Sequence, residues 1–289
     1  MIYNKFKNYK LNLDNIWRVK PKNSYAGKGI TILNSLKDIQ LKKFVLYALI
    51  TGLKPLRIYF YNEGSVRIAS EKYSLNKSTI RNKFIHLENI CINRENKNYI
   101  QPNNTNDEDA NIYNIFKYKN YLKTLNVQWD DIKEKIKDII IKSIISVYKN
   151  LTEENESHNL SDQSFYNMLN FDKLINNEFE PILIEINNCP SMIIYNNLEK
   201  KDKINLFIDT LNLVGIIPYS KKSEEPLNKK FNFKTEIDDN LNNAFYELQR
   251  PRDDYELIFP KRENINKYKK FFIYNSEKHF KKCCRSYRG

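Results

Sequence analysis

Asp172, Glu185 and Asn187 carry the oxygen atoms in this 289-residue chain whose types and spacing best suit chemistry. The run Pro181 to Asn187 (PILIEIN) is rich in β-branched residues and reads as a strand. Period-2 alternation sets Ile182, Ile184 and Ile186 on one face and Leu183, Glu185 and Asn187 on the other. Met168 to Ile175 reads as a second strand, and Asn176 to Phe179 as the turn between the two. Folding back about that turn sets Asp172 opposite Glu185. Two carboxylates and an amide oxygen on adjacent strands suit Mg²⁺, a hard cation that keeps waters and substrate phosphates as its other ligands. The same side chains would also fit the exposed polar face of an ordinary hairpin.

A second group lies near the start. Trp17 to Lys20 ends a strand, and the loop after it contains Gly27-Lys28-Gly29 before Ile30 to Leu33. Glycines let backbone N–H groups approach phosphate oxygens, and Lys20 adds a point charge for the same phosphates. Gly-x-Gly between strands is also a common hairpin. Arg67 reads as a guanidinium clamp for carboxylate or phosphate, or as an exposed strand arginine. His86, one of three histidines, fits either the site or a polar position in the core.

The elements that would carry these groups are mixed. Phe44 to Thr51 is an apolar run. Leu56 to Asn62 and Ser65 to Ser70 flank Glu63-Gly64, which predicts a hairpin turn there. His86 to Asn93 has mixed character, and residues 93–111 read as a polar loop or insert. Trp129 to Leu151 is the clearest helix, with Ile132, Ile136, Ile139, Ile140, Ile144 and Val147 on one stripe. Asp130 and Asp131 lie in its first turn, where the helix dipole favours anions. Residues 152–163 read as a linker. Leu198 to Leu213 predicts a closing helix that ends near Gly215 and Pro218. Asp238 to Leu248 predicts one more short helix.

Composition sets the class. A hydrophobic content of 41% in a chain of this length supports a buried core. The net charge is +13, and Lys261 to Gly289 holds ten Lys/Arg against two Glu. Such a tail favours an acidic partner, or is simply a solvated end. Cys91, Cys189, Cys283 and Cys284 have no zinc or CxxC spacing, which fits a reducing intracellular compartment. The Cys283-Cys284 pair in a basic tail is a weak lipid-acceptor signal. No apolar run approaches a membrane span, and no nucleic-acid motif is visible.

Taken together, the segments resemble the tubulin–tyrosine ligase family, including its polyglutamylase and glycylase members. Trp17-Arg18-Val19-Lys20-Pro21 with Gly27-Lys28-Gly29-Ile30 is similar to W-x-x-K-P and G-x-G-I. Pro55 to Tyr59 and Arg67 to Tyr73 are similar to P-L-[RK]-I-Y and [VL]-R-x-[AS]-[ST]-E-K-[YF]. His86-Leu87-Glu88-Asn89 resembles H-L-T-N, and Phe171-Asp172 resembles part of G-F-D. Leu183 to Asn187 with Pro190-Ser191 is similar to L-[LI]-E-[VI]-N-x-x-P-S, and Tyr255 to Pro260 resembles a motif near the end of some family cores.

The resemblance implies an α+β, ATP-grasp-like fold of antiparallel sheets flanked by helices, with the N-terminal lobe largely missing. It implies ATP and Mg²⁺ as cofactors. It implies a ligase that adds an amino acid, glutamate by preference, to tubulin tail carboxylates through an acylphosphate. By motif, Asp172, Glu185 and Asn187 become metal ligands. Lys20, Gly27, Lys28, Gly29, His86 and Asn89 line the nucleotide site, and Arg67 and Lys20 act on the reacting groups. The implied organisation is an incomplete ligase core over 1–218, an extension over 219–260 and a basic tail over 261–289. The implied setting is the cytoplasm and its microtubules, including those of cilia or basal bodies. The family's Q-x-Y-[IL] hinge and K-F-D-[LI]-R segment find no full match: Lys43-Phe44 is followed by Val45-Leu46-Tyr47. A glycylase, a tyrosine ligase and a non-catalytic module that binds microtubules or acidic proteins therefore stay open as alternatives.

Overall fold

The computed structural model describes residues 17–19, 31–33, 42–72, 74, 78–79, 81–102, 110–158, 165–176, 178–216 and 247–272, the first two of these by backbone alone. Strands β1 (Trp17–Val19) and β2 (Thr31–Leu33) pair antiparallel, as strand–loop–strand predicted. The loop with Lys20, Gly27, Lys28 and Gly29 lies outside the described residues.

The main sheet is antiparallel. Its strands are β3 (Lys42–Leu53), β4 (Leu56–Ile68), β5 (Ile112–Asn114), β6 (Asn167–Ile175), β7 (Pro181–Asn187) and β8 (Tyr255–Phe259). The order is β5-β4-β3-β6-β7, with β8 also on β4. Aliphatic and aromatic runs of 12 and 13 residues make β3 and β4 its centre, because both faces are buried there.

Glu63-Gly64 is not a turn. Strand β4 runs straight through it, and Gly64 pairs with Leu46. A Cβ at Gly64 would sit 2.6 Å from the Val45 carbonyl oxygen, so the glycine serves close approach of two backbones rather than chain reversal. The reversal lies at Lys54-Pro55, between β3 and β4.

One face of the sheet is covered by α3 (Ile115–Thr124) and α4 (Trp129–Ser157). Ile132, Ile136, Ile140 and Ile144 of α4 join Phe44, Leu46, Ile58, Phe60 and Phe171 in the larger core, each such side chain contributing about 1.5–3 kcal/mol by burial. Helix α4 continues to Ser157, so the expected linker starts later than its polarity implied: Thr152 and Asn155 are buried and extend the inward stripe. On the opposite face α5 (Asn197–Val214) packs Leu206 and Leu213 on Val45, Tyr47, Leu49, Tyr59, Tyr61 and Tyr255. It ends at Gly215 in the left-handed conformation, φ 78°.

The first part of the basic tail is not a solvated end. After α6 (Ile265–Tyr268) and a 3₁₀ turn (Lys269–Phe271), Phe272 is buried beside Tyr148 and Phe259. Residues 273–289 and most of the helix expected over 238–248 lie outside the described residues. Among the described residues no helix is long and apolar enough to cross a membrane.

Candidate functional site

The β6–β7 hairpin forms as expected. Its turn is fixed by Asn176, whose Oδ1 accepts from the Glu178 and Glu180 N–H groups at 3.0 and 2.8 Å. Asp172 then stands directly opposite Glu185, and Asn170 opposite Asn187. The simple alternation fails one step away. Pairing skips Ile184, so that Lys173 faces Leu183, and Leu183 packs on the larger core. This bulge re-aims the strand, leaving Glu185 and Asn187 on the Asp172 side and turning Leu183 to the other.

Glu185 and Asn187 are close, and the ladder sets Asp172 across from Glu185. Asn187 Nδ2 donates to Glu185 Oε1 at 3.3 Å, and the Asn187 and Asn170 side-chain amides approach to 3.1 Å. Asp172 is 4% exposed. A buried carboxylate of this kind requires a cation. Lys43 of β3 supplies one: its Nζ forms an ion pair with Asp172 Oδ2, and it is nearly as buried. The donor chemistry fits a hard divalent ion, with two carboxylates and one amide on a single face.

Arg67 lies opposite Lys43 across the β3–β4 ladder. Its Nη2 donates to Glu199 Oε1 at 3.2 Å. Glu199 is 3% exposed and sits in the first turn of α5. Asn196 Oδ1 accepts from the Glu199 N–H at 2.8 Å, while Glu199 Oε2 accepts from the Tyr195 N–H at 3.2 Å. This near-capping-box fixes the helix start and the carboxylate together. Lys203, one turn on, stands 3.7 Å from Glu199; burial holds its ammonium below the usual lysine range, opposed by Glu199. Asp202 on the same turn is pushed up to about 6, by burial first and then by Glu63. Tyr47 is pushed up to about 12, chiefly by burial, with Arg67 opposing and Glu199 and Asp172 adding to the shift.

His86 ends α1 (Lys83–His86) and is buried, and Asn89 occupies the cap position of α2 (Ile90–Asn93) without a capping hydrogen bond of its own. Asn93 holds this segment. Its Nδ2 donates to the Leu87 and Asn89 carbonyls at 2.6 and 3.0 Å, and its Oδ1 accepts from the Ser70 N–H at 2.8 Å. Gln101 reaches Tyr195 O at 2.8 Å, which ties the segment to the start of α5.

The hairpin register thus sets Asp172 across from Glu185 with Asn187 beside Glu185, and Arg67 joins the α5 terminus instead. Glu199 and Lys203 were not singled out from the sequence, and Lys43 stood only in the partial match to K-F-D-[LI]-R. A separate cleft of about 520 Å³ lies between α4 and the α6 segment. Within it Lys135 pairs with Glu180 and Lys267 with Asp138.

Comparison with known proteins follows the same segments. The model of the tubulin-tyrosine ligase family matches residues 42–225. The mouse tubulin polyglutamylase TTLL5 is 28% identical over 82% of this chain, and a probable beta-tubulin polyglutamylase of Tetrahymena thermophila is 31% identical over 74%. The tubulin polyglutamylase ttll-4 of Caenorhabditis briggsae is 26% identical over 88%. The chain spans only 19% and 20% of the first two relatives and 51% of the third.

Proposed function

Because this chain belongs to the tubulin-tyrosine ligase family, an ATP-grasp family, we propose that it is an ATP-dependent ligase that adds glutamate to carboxylates of tubulin tails. The γ-phosphoryl group of ATP moves to an acceptor carboxylate oxygen and ADP leaves. The amine of the incoming amino acid then attacks the acyl carbon, phosphate departs, and the amine loses a proton. The observation that carries the reading is the pairing of Asp172 with Glu185, with Asn187 3.3 Å from Glu185.

Asp172, Glu185 and Asn187 would hold Mg²⁺, which when bound neutralises charge on the β- and γ-phosphates. Arg67 is a fixed guanidinium whose fork matches a carboxylate or phosphate. Its tie to Glu199 sets its direction before substrate arrives, so less ordering is required on binding. His86 and Asn89 would border the nucleotide. Lys20, Gly27, Lys28 and Gly29 would meet its phosphates. Glutamate is favoured by the names of the relatives, and tubulin by the same names together with the basic tail, which suits acidic partners. The expected setting is the cytoplasmic microtubule surface.

The test is mass spectrometry of tubulin incubated with the chain, microtubules, ATP, Mg²⁺ and glutamate. Added glutamyl residues that require ATP support the reading, and unmodified tubulin beside a modified positive control counts against it. A second reading, a non-catalytic microtubule-binding module, is favoured by one observation: Asp172 is already paired with Lys43. It predicts co-sedimentation with microtubules that ATP does not alter.

A further inference from the structure

We propose that Lys43 is a built-in counter-cation, and that a divalent ion enters the Asp172–Glu185–Asn187 site only by displacing the Lys43 ammonium from Asp172. The proposal rests on reading those three residues as a divalent-ion site. Three features carry it. Lys43 and Asp172 are 8% and 4% exposed, so neither charge has water as its main partner. Their contact is close and crosses from β3 to β6, although the residue directly opposite Asp172 is Val45. Lys43 therefore reaches along the sheet to the carboxylate instead of standing over its own ladder partner, Leu174. Asp172 is, in addition, its one ion-pair partner among the described residues.

The physical consequence is competition. An ammonium and a divalent cation need the same carboxylate lone pairs, and two cations a few ångströms apart in a poorly hydrated site repel. The lysine stem is long and flexible, which permits exchange, whereas a guanidinium fork would lock the carboxylate. Lys43 thereby keeps Asp172 neutralised and oriented while the metal is absent. The cost falls on divalent-ion affinity.

The probe is Mn²⁺, titrated into the full chain and followed by the electron paramagnetic resonance signal of free Mn²⁺. Lys43→Met is expected to bind Mn²⁺ about tenfold or more tightly than wild type, since its competitor is gone. Asp172→Asn is expected to abolish that gain in the Lys43→Met background. Equal or weaker binding by Lys43→Met overturns this proposal alone. Absence of Mn²⁺ binding by both proteins overturns the divalent-site reading and this proposal with it. Should Lys43→Met not fold, wild type decides: acylation of Lys43 by acetic anhydride, read by peptide mass spectrometry, is expected to rise several-fold when Mn²⁺ is bound. Unchanged labelling in Mn²⁺-bound protein overturns the displacement.

Discussion

The guanidinium of Arg67 stands 3.2 Å from the carboxylate of Glu199, a residue 132 positions away in sequence and 3% exposed. Glu199 also receives the Tyr195 N–H and stands beside Lys203. One buried carboxylate thus fixes the start of α5 and the direction of two cations.

Replacing Glu199 by Gln keeps shape and removes charge. The partly buried Arg67 loses its anion, at about 1–3 kcal/mol of stability. The expected kinetic result is a fall of roughly 10- to 100-fold in kcat/KM for glutamate incorporation, and thermal unfolding checks that the fold survives. Arg67→Lys is expected to lose nearly as much activity, because a point charge does not reproduce the fork. Wild-type rates from Glu199→Gln would show that Arg67 is oriented by other groups.

Gly64→Ala tests the path of β4. The added methyl would meet Val45 O at 2.6 Å, so the β3–β4 ladder must shift, at about 1–3 kcal/mol. Thermal denaturation of the two proteins measures it. A glycine in an exposed turn would have tolerated alanine far better, and a change of only a few tenths of a kcal/mol would contradict the observed pairing.

That contrast shows what local pattern can and cannot reveal. The β6–β7 hairpin was readable because its turn residues and β-branched strands are local. The opposition of Asp172 and Glu185 followed directly from them. Glu63-Gly64 misled because the same dipeptide serves a turn or a close backbone approach, and only the neighbour at Val45 decides. The bulge at Ile184 was invisible for a similar reason: it depends on which residues of β6 lie alongside. Lys43 and Glu199 pair with Asp172 and Arg67, each more than 120 positions away, so local pattern does not reveal those two pairings. The folded start of the tail was hidden by its charge, since Tyr268 and Phe272 are few among lysines.

Lys173 is fully buried on the core side of β6, with Nζ 4.9 Å from the centre of the Phe171 ring and, among the described residues, without a hydrogen bond. Burial pulls its ammonium down to about 7. The unfolded chain therefore holds this proton up to about pH 10.4 while the folded chain releases it near 7. Between those values the unfolded state binds more protons, so the Lys173 contribution makes stability rise with pH, and below 7 the penalty is fully present. Lys173→Met is expected to stabilise the protein at pH 7 by on the order of 3 kcal/mol and to flatten this rise. Urea unfolding of both proteins from pH 6.5 to 9.5 measures it. A destabilised variant would mean that the amine has a favourable partner.

Phe272 anchors the described start of the tail. Phe272→Ala is expected to cost about 3–5 kcal/mol, as for other buried phenylalanines. Removal of residues 273–289 is expected to weaken microtubule co-sedimentation, with a reduced dependence on salt. Equal binding by the shortened chain would take the tail out of the interaction.

The most direct test of the account compares wild type with Glu185→Gln for incorporation of radiolabelled glutamate into microtubules at saturating ATP and Mg²⁺. The hairpin carboxylates as metal ligands predict ATP-dependent label from wild type and a loss of at least about a hundredfold in the variant, with its fold intact by circular dichroism. Equal incorporation by the two proteins would contradict that role for Glu185.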